Sequence, residues 1–492
     1  MITLEQIRDF KGAYPKQLWY LFLTEMWERF CFYGMRGMLT VFMVSQLFLD
    51  EKSANLQYGA IQAFVYAFTF IGGVMADRIL GFQKSLFWGA LLMIAGGAII
   101  ALSPENYFYI GICFNIIGTG FFKPNISTMV GQLYHENDSR RDAGFSLFYS
   151  GINAGAFLGG VLMVYVGKYH SWPLAFGLVA IVMTASLITF VLTKKSLGPI
   201  GLSPLIDTTP AKKAKLYEWI VYGASLLIVP LVLTMVTNTD YTDYFMYAIG
   251  PLTLVYLGFE MTRFTAEENK KLGAALVFIL FSVLFWAFFE QSGGSLALFA
   301  LNNVNDSFLG FSLDPNVANN SANSAFVILF APLLGLVWVA LAKRKAEPNS
   351  VVKFGLSFLL LGLAFFTLYA TVFVADPSTG MTGQEVFVLA YFVMTFAELF
   401  LSPIGLSLMT KLSPLKIQGL MMGMWFLASA YGQYVAGLLG AGMATDGEAS
   451  SNYDRLINYT NGYHYLAVMA CVGGVVLLAL SPFVKRLMGN VR

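Results

Sequence analysis

A succession of long apolar runs constrains the fold of this chain of 492 residues more than any other feature. A helix that crosses the hydrocarbon core of a bilayer needs about 20 predominantly apolar residues. The sequence predicts such helices at about 18–46, 55–76, 84–103, 107–133, 144–167, 172–193, 216–237, 244–262, 270–300, 322–342, 353–375, 385–411, 418–444 and 463–484. We therefore expect an all-α polytopic membrane protein with six, two and six spans, fourteen transmembrane helices in all.

The composition agrees with this class. Hydrophobic residues make up 57% of the chain and charged residues 12%, and the mean hydropathy is +0.66. These values exclude an ordinary soluble domain. The first 17 residues are polar and of mixed charge, so we expect no cleavable signal peptide. The three cysteines lie in apolar runs and predict neither a disulfide framework nor a metal site. We expect lipid around the chain and no nucleic acid or obligate protein partner.

The basic residues predict the orientation in the membrane. If the N-terminus is cytoplasmic, nearly all of the 30 Lys and Arg residues lie at the inner face. The exceptions are three on the outer face and three within the membrane: Lys52, Lys168, Arg455, Arg29, Arg36 and Lys123. By the positive-inside rule, both termini are predicted to be cytoplasmic.

The six-two-six pattern also predicts the organisation of the chain. We expect a six-helix bundle at 1–195, a linker with two additional helices at 196–265 and a second six-helix bundle at 266–492. Two such halves place a substrate site at their interface near the membrane midplane in many transporters. The segments "GTGFFKPNIS" and "AELFLSPIGLS" correspond weakly, and their prolines, Pro124 and Pro403, are expected to bend the helices.

The segment "FLTEMWERFCFYGMRG", residues 22–37, carries four charges into the first predicted span. Each charge at the centre of a membrane helix costs roughly 2.5 to 3.5 kcal/mol on insertion scales. Their spacing places Glu25, Glu28, Arg29 and Arg36 on one helical stripe, together with Phe32 and Tyr33. The stripe could serve only to neutralise its own charges, but intramembrane ionisable groups are functional candidates by default.

Three further charges lie within predicted spans: Lys123, Glu290 and Glu398. Buried charges must pair or contact water, and the two halves can supply partners for each other. We predict that Lys123 and Glu398 pair near the cytoplasmic side. Arg36 and Glu290 are predicted to pair near the periplasmic side. A cavity lined by both signs of charge suits a zwitterion.

Several segments resemble motifs of the proton-dependent oligopeptide transporter (POT/PTR) family. "EMWERFCFYGMRGML" is similar to the E-x-x-E-R-F signature of that family, and "FYSGINAGAFLGG" to its F-Y-x-x-I-N-x-G signature. "FFKPNISTMVGQLY", "FWAFFEQ" and "AELFLSPIGLS" resemble its motifs in the fourth, seventh and tenth helices. The loop "GGVMADRILG" (72–81) resembles the G-x-x-x-D-R loop of the major facilitator superfamily. The resemblance implies a major facilitator fold that imports di- and tripeptides with protons across the bacterial inner membrane, without a cofactor.

The resemblance also implies roles for individual residues. Proton coupling falls to Glu25, Glu28, Arg29 and Glu290. Arg29 and Lys123 are expected to receive the peptide carboxylate, and Asn153, Asn323 and Glu398 its amino terminus. The remaining peptide-binding candidates are Tyr33, Arg36, Tyr66, Tyr149, Trp286, Glu290, Ser402 and Trp425. Animal relatives place a histidine near "AFVYAFTF" in the second span, and this sequence has none there. Proton transfer is therefore expected to depend on carboxylates.

The sequence leaves other functions open. The main alternative is a proton-coupled symporter of another small anion or an amino-acid conjugate in the same fold. A drug exporter is less favoured because its cavity would need fewer fixed charges, and a channel would be distinguished by non-saturable uptake. A membrane enzyme is not expected, since no nucleophile set, metal-ligand cluster or phosphate-binding glycine loop is recognisable.

Overall fold

The computed structural model describes residues 2–135, 138, 140–401, 405–444 and 451–490, and these residues are predominantly helical. The first nine helices are α1 Leu4–Arg8, α2 Lys16–Ser45, α3 Glu51–Met75, α4 Phe82–Leu102, α5 Pro104–Gln132, α6 Arg141–Tyr169, α7 Trp172–Thr193, α8 Ala211–Leu227 and α9 Val229–Thr237. They are followed by α10 Thr239–Met261, α11 Ala266–Phe289, α12 Ser295–Asn303, α13 Pro315–Lys343, α14 Ser350–Tyr369, α15 Thr371–Val374, α16 Gln384–Leu401, α17 Gly405–Leu412, α18 Gln418–Met443 and α19 Asn452–Met488. Strands β1 Ser307–Phe308 and β2 Phe311–Ser312 form a small antiparallel hairpin.

The helical, polytopic architecture is confirmed. Among the described residues, ten helical segments are long and apolar enough to cross a membrane. The other four predicted spans are also helices, α2, α5, α10 and α18, with 30, 29, 23 and 26 residues. That all fourteen cross the bilayer, with cytoplasmic termini, stays a prediction.

Several helices begin well before the apolar run that predicted them. Helix α3 begins at Glu51, α13 at Pro315 and α19 at Asn452. Polar residues cap the last two: Asp314 accepts hydrogen bonds from the first turn of α13, and Ser451 and Asp454 form a capping box on α19. Capping satisfies the free N–H groups of the first turn, so the helix extends through polar residues that hydropathy alone assigns to a loop.

Three predicted spans are interrupted within the described residues. The run at 353–375 divides at Ala370 into α14 and α15. The run at 270–300 contains α11, a 3₁₀ turn at Glu290–Gly293 and then α12. The run at 216–237 divides into α8 and α9 next to Pro230, which has no N–H to continue the helix. Helix α5, by contrast, continues through Pro124.

The segment 72–81 is not the loop that its motif predicts. Helix α3 runs to Met75 and continues as a π-helical turn at Ala76–Leu80. It ends at Gly81, whose φ of 73° lies in the left-handed region. A Cβ at Gly81 would stand 2.5 Å from the backbone of Ser203, so both conformation and space require glycine at this position.

The chain forms two compact units. The first comprises Met1–Met38 and Phe64–Thr237, and the second comprises Leu39–Ala63 and Asn238–Arg492. The second unit therefore includes the adjoining ends of α2 and α3. The domain boundaries expected at 195 and 265 are a different division of the chain, and they stay a prediction.

In the first unit, α4 packs along α5 and α7. Helix α8, one of the two central helices, is fixed to the start of α4. Lys84 Nζ lies 2.5 Å from Glu218 Oε1, and Trp88 donates a hydrogen bond to Ser225 while its ring lies against Tyr222. These contacts place α8 in the first unit.

In the second unit, α14 packs between α16 and α19, and α11 packs along α18 around a core of aromatic and aliphatic side chains. Helix α10 is fixed to α18 by two tyrosines. Tyr434 donates a hydrogen bond of 2.6 Å to Asp243, and Tyr431 donates one to the Met246 carbonyl. The two central helices thus have separate anchors, one within each unit.

Candidate functional site

The charged stripe of α2 forms a buried ion cluster in the first unit. Arg29 Nε lies 3.1 Å from Glu25 Oε1, and the guanidinium also forms an ion pair with Glu28. The exposed fractions of Arg29, Glu25 and Glu28 are 1%, 3% and 0%. One guanidinium therefore neutralises only one of two adjacent buried carboxylates, so the cluster needs a further cation or a proton.

Helix α6 approaches α2 closely at this cluster. A Cβ at Gly155 would stand 2.1 Å from the Met26 carbonyl oxygen and 3.0 Å from Arg29 Cβ. Only glycine permits this separation of the two helix backbones. The close packing holds the backbone of Arg29 in place while its side chain contacts the glutamates.

Another cation near this cluster is Lys123, and the ring of Phe32 lies close to both Lys123 and Arg29. The ring centroid of Phe32 is 5.1 Å from the Arg29 guanidinium and 5.7 Å from Lys123 Nζ. Lys123 Nζ also lies 4.4 Å from the ring of Tyr66. Both distances from Phe32 are within the range of cation–π attraction. Phe32 was on the predicted stripe but was not among the predicted site residues.

The other candidates of the first unit lie on α2 and α6. The Arg36 guanidinium is 5.8 Å from the ring of Tyr33. Asn153 is buried and donates a hydrogen bond of 3.0 Å to the Tyr149 carbonyl, whereas the Tyr149 side chain is 37% exposed. The amide of Asn153 is thus held by its own helix, which fixes its carbonyl oxygen in orientation.

In the second unit, Glu398 on α16 contacts Asn323 on α13. Asn323 donates its amide to Glu398 Oε2 at 2.9 Å and also lies 3.2 Å from Thr395 Oγ1. The family resemblance implies that Glu398 and Asn323 bind the same end of the substrate, and the structure brings the two together. Thr395, one turn before Glu398, was not predicted.

Glu290 lies at the break between α11 and α12 and is 3% exposed. A network of amides around it fixes the 3₁₀ turn. Gln291 donates to the carbonyls of Ala287 and Ala436, and Asn319 donates to the carbonyl of Ser292. The carbonyls of Ala287 and Ser292 lie at the break, where a helix leaves carbonyls without partners, and the bond to Ala436 ties the turn to α18. The turn is therefore a fixed feature that positions Glu290.

The aromatic candidates of the second unit lie on α11 and α18. Trp286 stands against Gly432 of α18, and Trp425 covers Gly405 at the start of α17. The predicted site residue Ser402 lies outside the described residues.

A further buried carboxylate, at the start of α3, was not predicted. Glu51 is 8% exposed and accepts hydrogen bonds from Tyr459 at 2.6 Å and Asn302 at 3.0 Å, and its Oε1 lies 3.5 Å from Arg455 Nε. The sequence placed Glu51 in a loop because its apolar run starts later. The sequence did contain a signal for a helix that begins at Glu51. Asp50 is a common helix-capping residue, here accepting a hydrogen bond from the Ser53 N–H, and helix-favouring residues follow it.

The structure thus forms two of the predicted groups. Glu25, Glu28 and Arg29, with Lys123 and Tyr66 nearby, form an acid-base cluster in the first unit. Glu398 and Asn323 form an acid-amide pair in the second. In the first group, Arg29 could replace one of its glutamate partners by another carboxylate. The carboxylate of the second group is of the right charge to bind a cation. The roles of these residues and the two gate pairs stay predictions.

Comparison with known proteins gives a consistent result. The family model described as the POT family matches residues 83–456. The chain is 32% identical to the peptide transporter YePEPT of Yersinia enterocolitica, with 98% of this chain and 97% of that protein covered. It is 30% identical to the di-/tripeptide transporter of Lactococcus lactis subsp. cremoris, with 97% of each covered.

A solved structure agrees in fold as well as in sequence. The crystal structure of the peptide transporter POT in complex with sulfate has a TM-score of 0.84 and 34% identity, and the whole of both chains is covered. The relatives and the fold agree over almost the whole length of the chain, and the family model covers most of it, as the sequence motifs predicted. The chain belongs to the POT family of peptide transporters.

Proposed function

We propose that this chain is a proton-coupled symporter that imports di- and tripeptides across the bacterial inner membrane by alternating access. The names of the two relatives support the substrate class. The proton gradient would be the energy source, and the transported species are the peptide and protons.

The buried cluster of Glu25, Glu28 and Arg29 carries the proposal. With Lys123, the cluster contains two acids and two bases, so it is neutral when all four groups are ionised. Protonation of one glutamate leaves a net charge of +1, which attracts the carboxylate of a peptide. Low polarity around the buried groups makes this single charge a strong determinant of binding.

The acid-amide pair of the second unit would bind the other end of the peptide. Glu398 supplies a negative charge that suits an ammonium group, and Asn323 orients the carboxylate by donating a hydrogen bond to its Oε2. Charged groups at both ends would make recognition depend on the peptide termini and little on the side chains. This division suits a transporter that accepts many peptides.

Gating is proposed on the sequence pattern alone. Lys123 with Glu398, and Arg36 with Glu290, are the opposite charges that the two predicted halves can offer each other. We propose that each pair forms when its side of the pathway closes and breaks when it opens. Cysteine crosslinks at either pair should then stop uptake, and unimpaired uptake with the link formed would refute the assignment.

Uptake into proteoliposomes tests the function directly. Labelled dialanine should accumulate in vesicles that contain the purified chain when an inward proton gradient is imposed. A protonophore should abolish accumulation. Competition by unlabelled peptides but not by nitrate or amino-acid conjugates is expected. Gradient-driven uptake of one of those solutes, with no uptake of dialanine, would favour the alternative substrate class.

A further inference from the structure

A basic cavity outside the residues discussed so far lies in the second unit, at the end of α13, the start of α14 and the end of α19. Its volume is about 1130 Å³. The charged side chains that line it are Lys345, Glu347, Lys353 and Lys485. Three lysines and one glutamate give these residues a net charge of +2, and Lys271 lies beside Gly489 at the cavity edge. A pocket of this size accommodates a ligand as large as a lipid headgroup.

One lysine of the cavity is held in place by its neighbours. Lys353 Nζ lies 2.5 Å from Glu347 Oε1 and 4.4 Å from the ring centroid of Trp338, and the Lys353 side chain is 14% exposed. Trp338 in turn packs edge-to-face on Phe400. This ordered arrangement forms one wall of the cavity and uses one positive charge for the Glu347 carboxylate. The charges of Lys345 and Lys485 remain in excess.

Lys345 occupies a backbone position that favours glycine. Its φ is 55°, and it follows the end of α13, where Ala346 N–H donates to the Leu341 carbonyl at 2.9 Å. This is the hydrogen bond of a helix end at which glycine is the usual left-handed residue, because a side chain there is strained. The chain therefore keeps a lysine where glycine would be easier, and that lysine lines the cavity.

The surfaces next to the cavity are apolar and exposed. On α13, Leu336 and Val339 are 68% and 53% exposed, and on α19, Phe483 is 57% exposed. The basic residues near them lie on the side of the membrane that is predicted to be cytoplasmic. A cavity with excess positive charge next to lipid-facing helices is the arrangement that binds anionic phospholipid headgroups.

We propose that this cavity binds the phosphate headgroup of an anionic phospholipid of the inner leaflet, with the acyl chains along α13 and α19. Lys345 and Lys485 would contact the phosphate, and Lys353 and Glu347 would form the wall. A free phosphate ion shares the same headgroup chemistry. The apolar surfaces favour the lipid, because a free ion gains nothing from them.

The test uses the purified full chain and native mass spectrometry after titration with phosphatidylglycerol or phosphatidylcholine. The wild type should retain phosphatidylglycerol in preference to phosphatidylcholine. Lys345→Gln with Lys485→Gln should weaken its retention about 25-fold, since each lysine near an anionic lipid contributes a factor of about five. Lys212→Gln with Lys213→Gln, two exposed lysines of α8 outside the cavity, is the matched control and should change nothing.

A second variant separates binding from folding. Lys345→Gly should weaken retention about fivefold while the unfolding temperature stays equal or rises, because the backbone strain is removed. The proposal would be overturned if both double variants lost the same amount of phosphatidylglycerol retention. It would also be overturned if the wild type retained both lipids equally. If inorganic phosphate stabilises the wild type as much as phosphatidylglycerol does, through the same lysines, the assignment to lipid is wrong.

Discussion

Glu25 Oε1 lies 3.1 Å from Arg29 Nε, one helical turn away, and both side chains are almost fully buried. Glu28 contacts the same guanidinium. Arg29 thus has two carboxylate partners within its own helix, and a substrate carboxylate would be a third. Competition among the three for one guanidinium is the proposed physical basis for coupling protons to peptide.

Phe32 should contribute to peptide affinity through the two cations beside it. We expect Phe32→Leu to weaken dialanine binding by about 0.5 to 2 kcal/mol, because both cation–π contacts are lost. Phe30→Leu is the matched control, since Phe30 is on the same helix and both residues are 3% exposed. Binding can be measured by competition on purified protein. An equal loss in the two variants would show that Phe32 acts only through packing.

Glu398 should recognise the amino terminus specifically. We expect Glu398→Gln to weaken binding of free dialanine by about 1.5 to 3 kcal/mol, the range for a hydrogen bond to a charged group. Binding of N-acetyl-dialanine should change little, because that ligand has no ammonium to lose. The control is Glu385→Gln, which changes an exposed residue of the same helix. If both ligands lose the same affinity to Glu398→Gln, Glu398 does not bind the amino terminus.

Tyr459 should stabilise the fold through Glu51. Loss of its hydroxyl in Tyr459→Phe removes a hydrogen bond to a buried carboxylate and should lower the free energy of unfolding by about 1.5 to 3 kcal/mol. Tyr465→Phe alters a 58% exposed residue of the same helix and should have no such effect. Thermal unfolding in detergent compares the two. Equal unfolding temperatures would mean that the contact does not contribute to stability.

Gly120 should be essential for packing between α3 and α5. A Cβ there would stand 2.6 Å from the Phe68 carbonyl oxygen, so Gly120→Ala must separate the helices and should cost about 1 to 3 kcal/mol. Gly223 also lies within a helix, but a Cβ added to it would meet nothing within 4 Å among the described residues beyond its chain neighbours and its own helix backbone. Gly223→Ala should be neutral or stabilising. The reverse order of unfolding temperatures would contradict the packing described for α5.

Features that depend on local spacing could be predicted from the sequence. The pairing of Glu25 with Arg29 follows from their separation of four residues, and the helical architecture follows from the lengths of the apolar runs. Motif resemblance then associated Asn323 with Glu398, which are 75 residues apart, although no periodicity connects them.

Features that depend on contacts between distant segments could not be predicted. One partner of Glu51 is Tyr459, 408 residues away, and hydropathy placed Glu51 outside its helix. Phe32 was on the stripe, but its contact with two cations depends on the placement of Lys123 on α5. The turn at Glu290 interrupts a run that is apolar enough to be one helix, and only the amides of Gln291 and Asn319 show why the break is stable.

The most direct test of the account is transport by the double variant Glu25→Gln, Glu28→Gln. Dialanine accumulation under an inward proton gradient and dialanine counterflow without one should be measured on the same folded, monodisperse preparation. We predict that accumulation is abolished, because no titratable group competes with the peptide for Arg29, and that counterflow survives. If the glutamates only neutralise Arg29, the variant should fold poorly and fail both assays. Proton-driven accumulation that persists in the folded double variant would contradict the account.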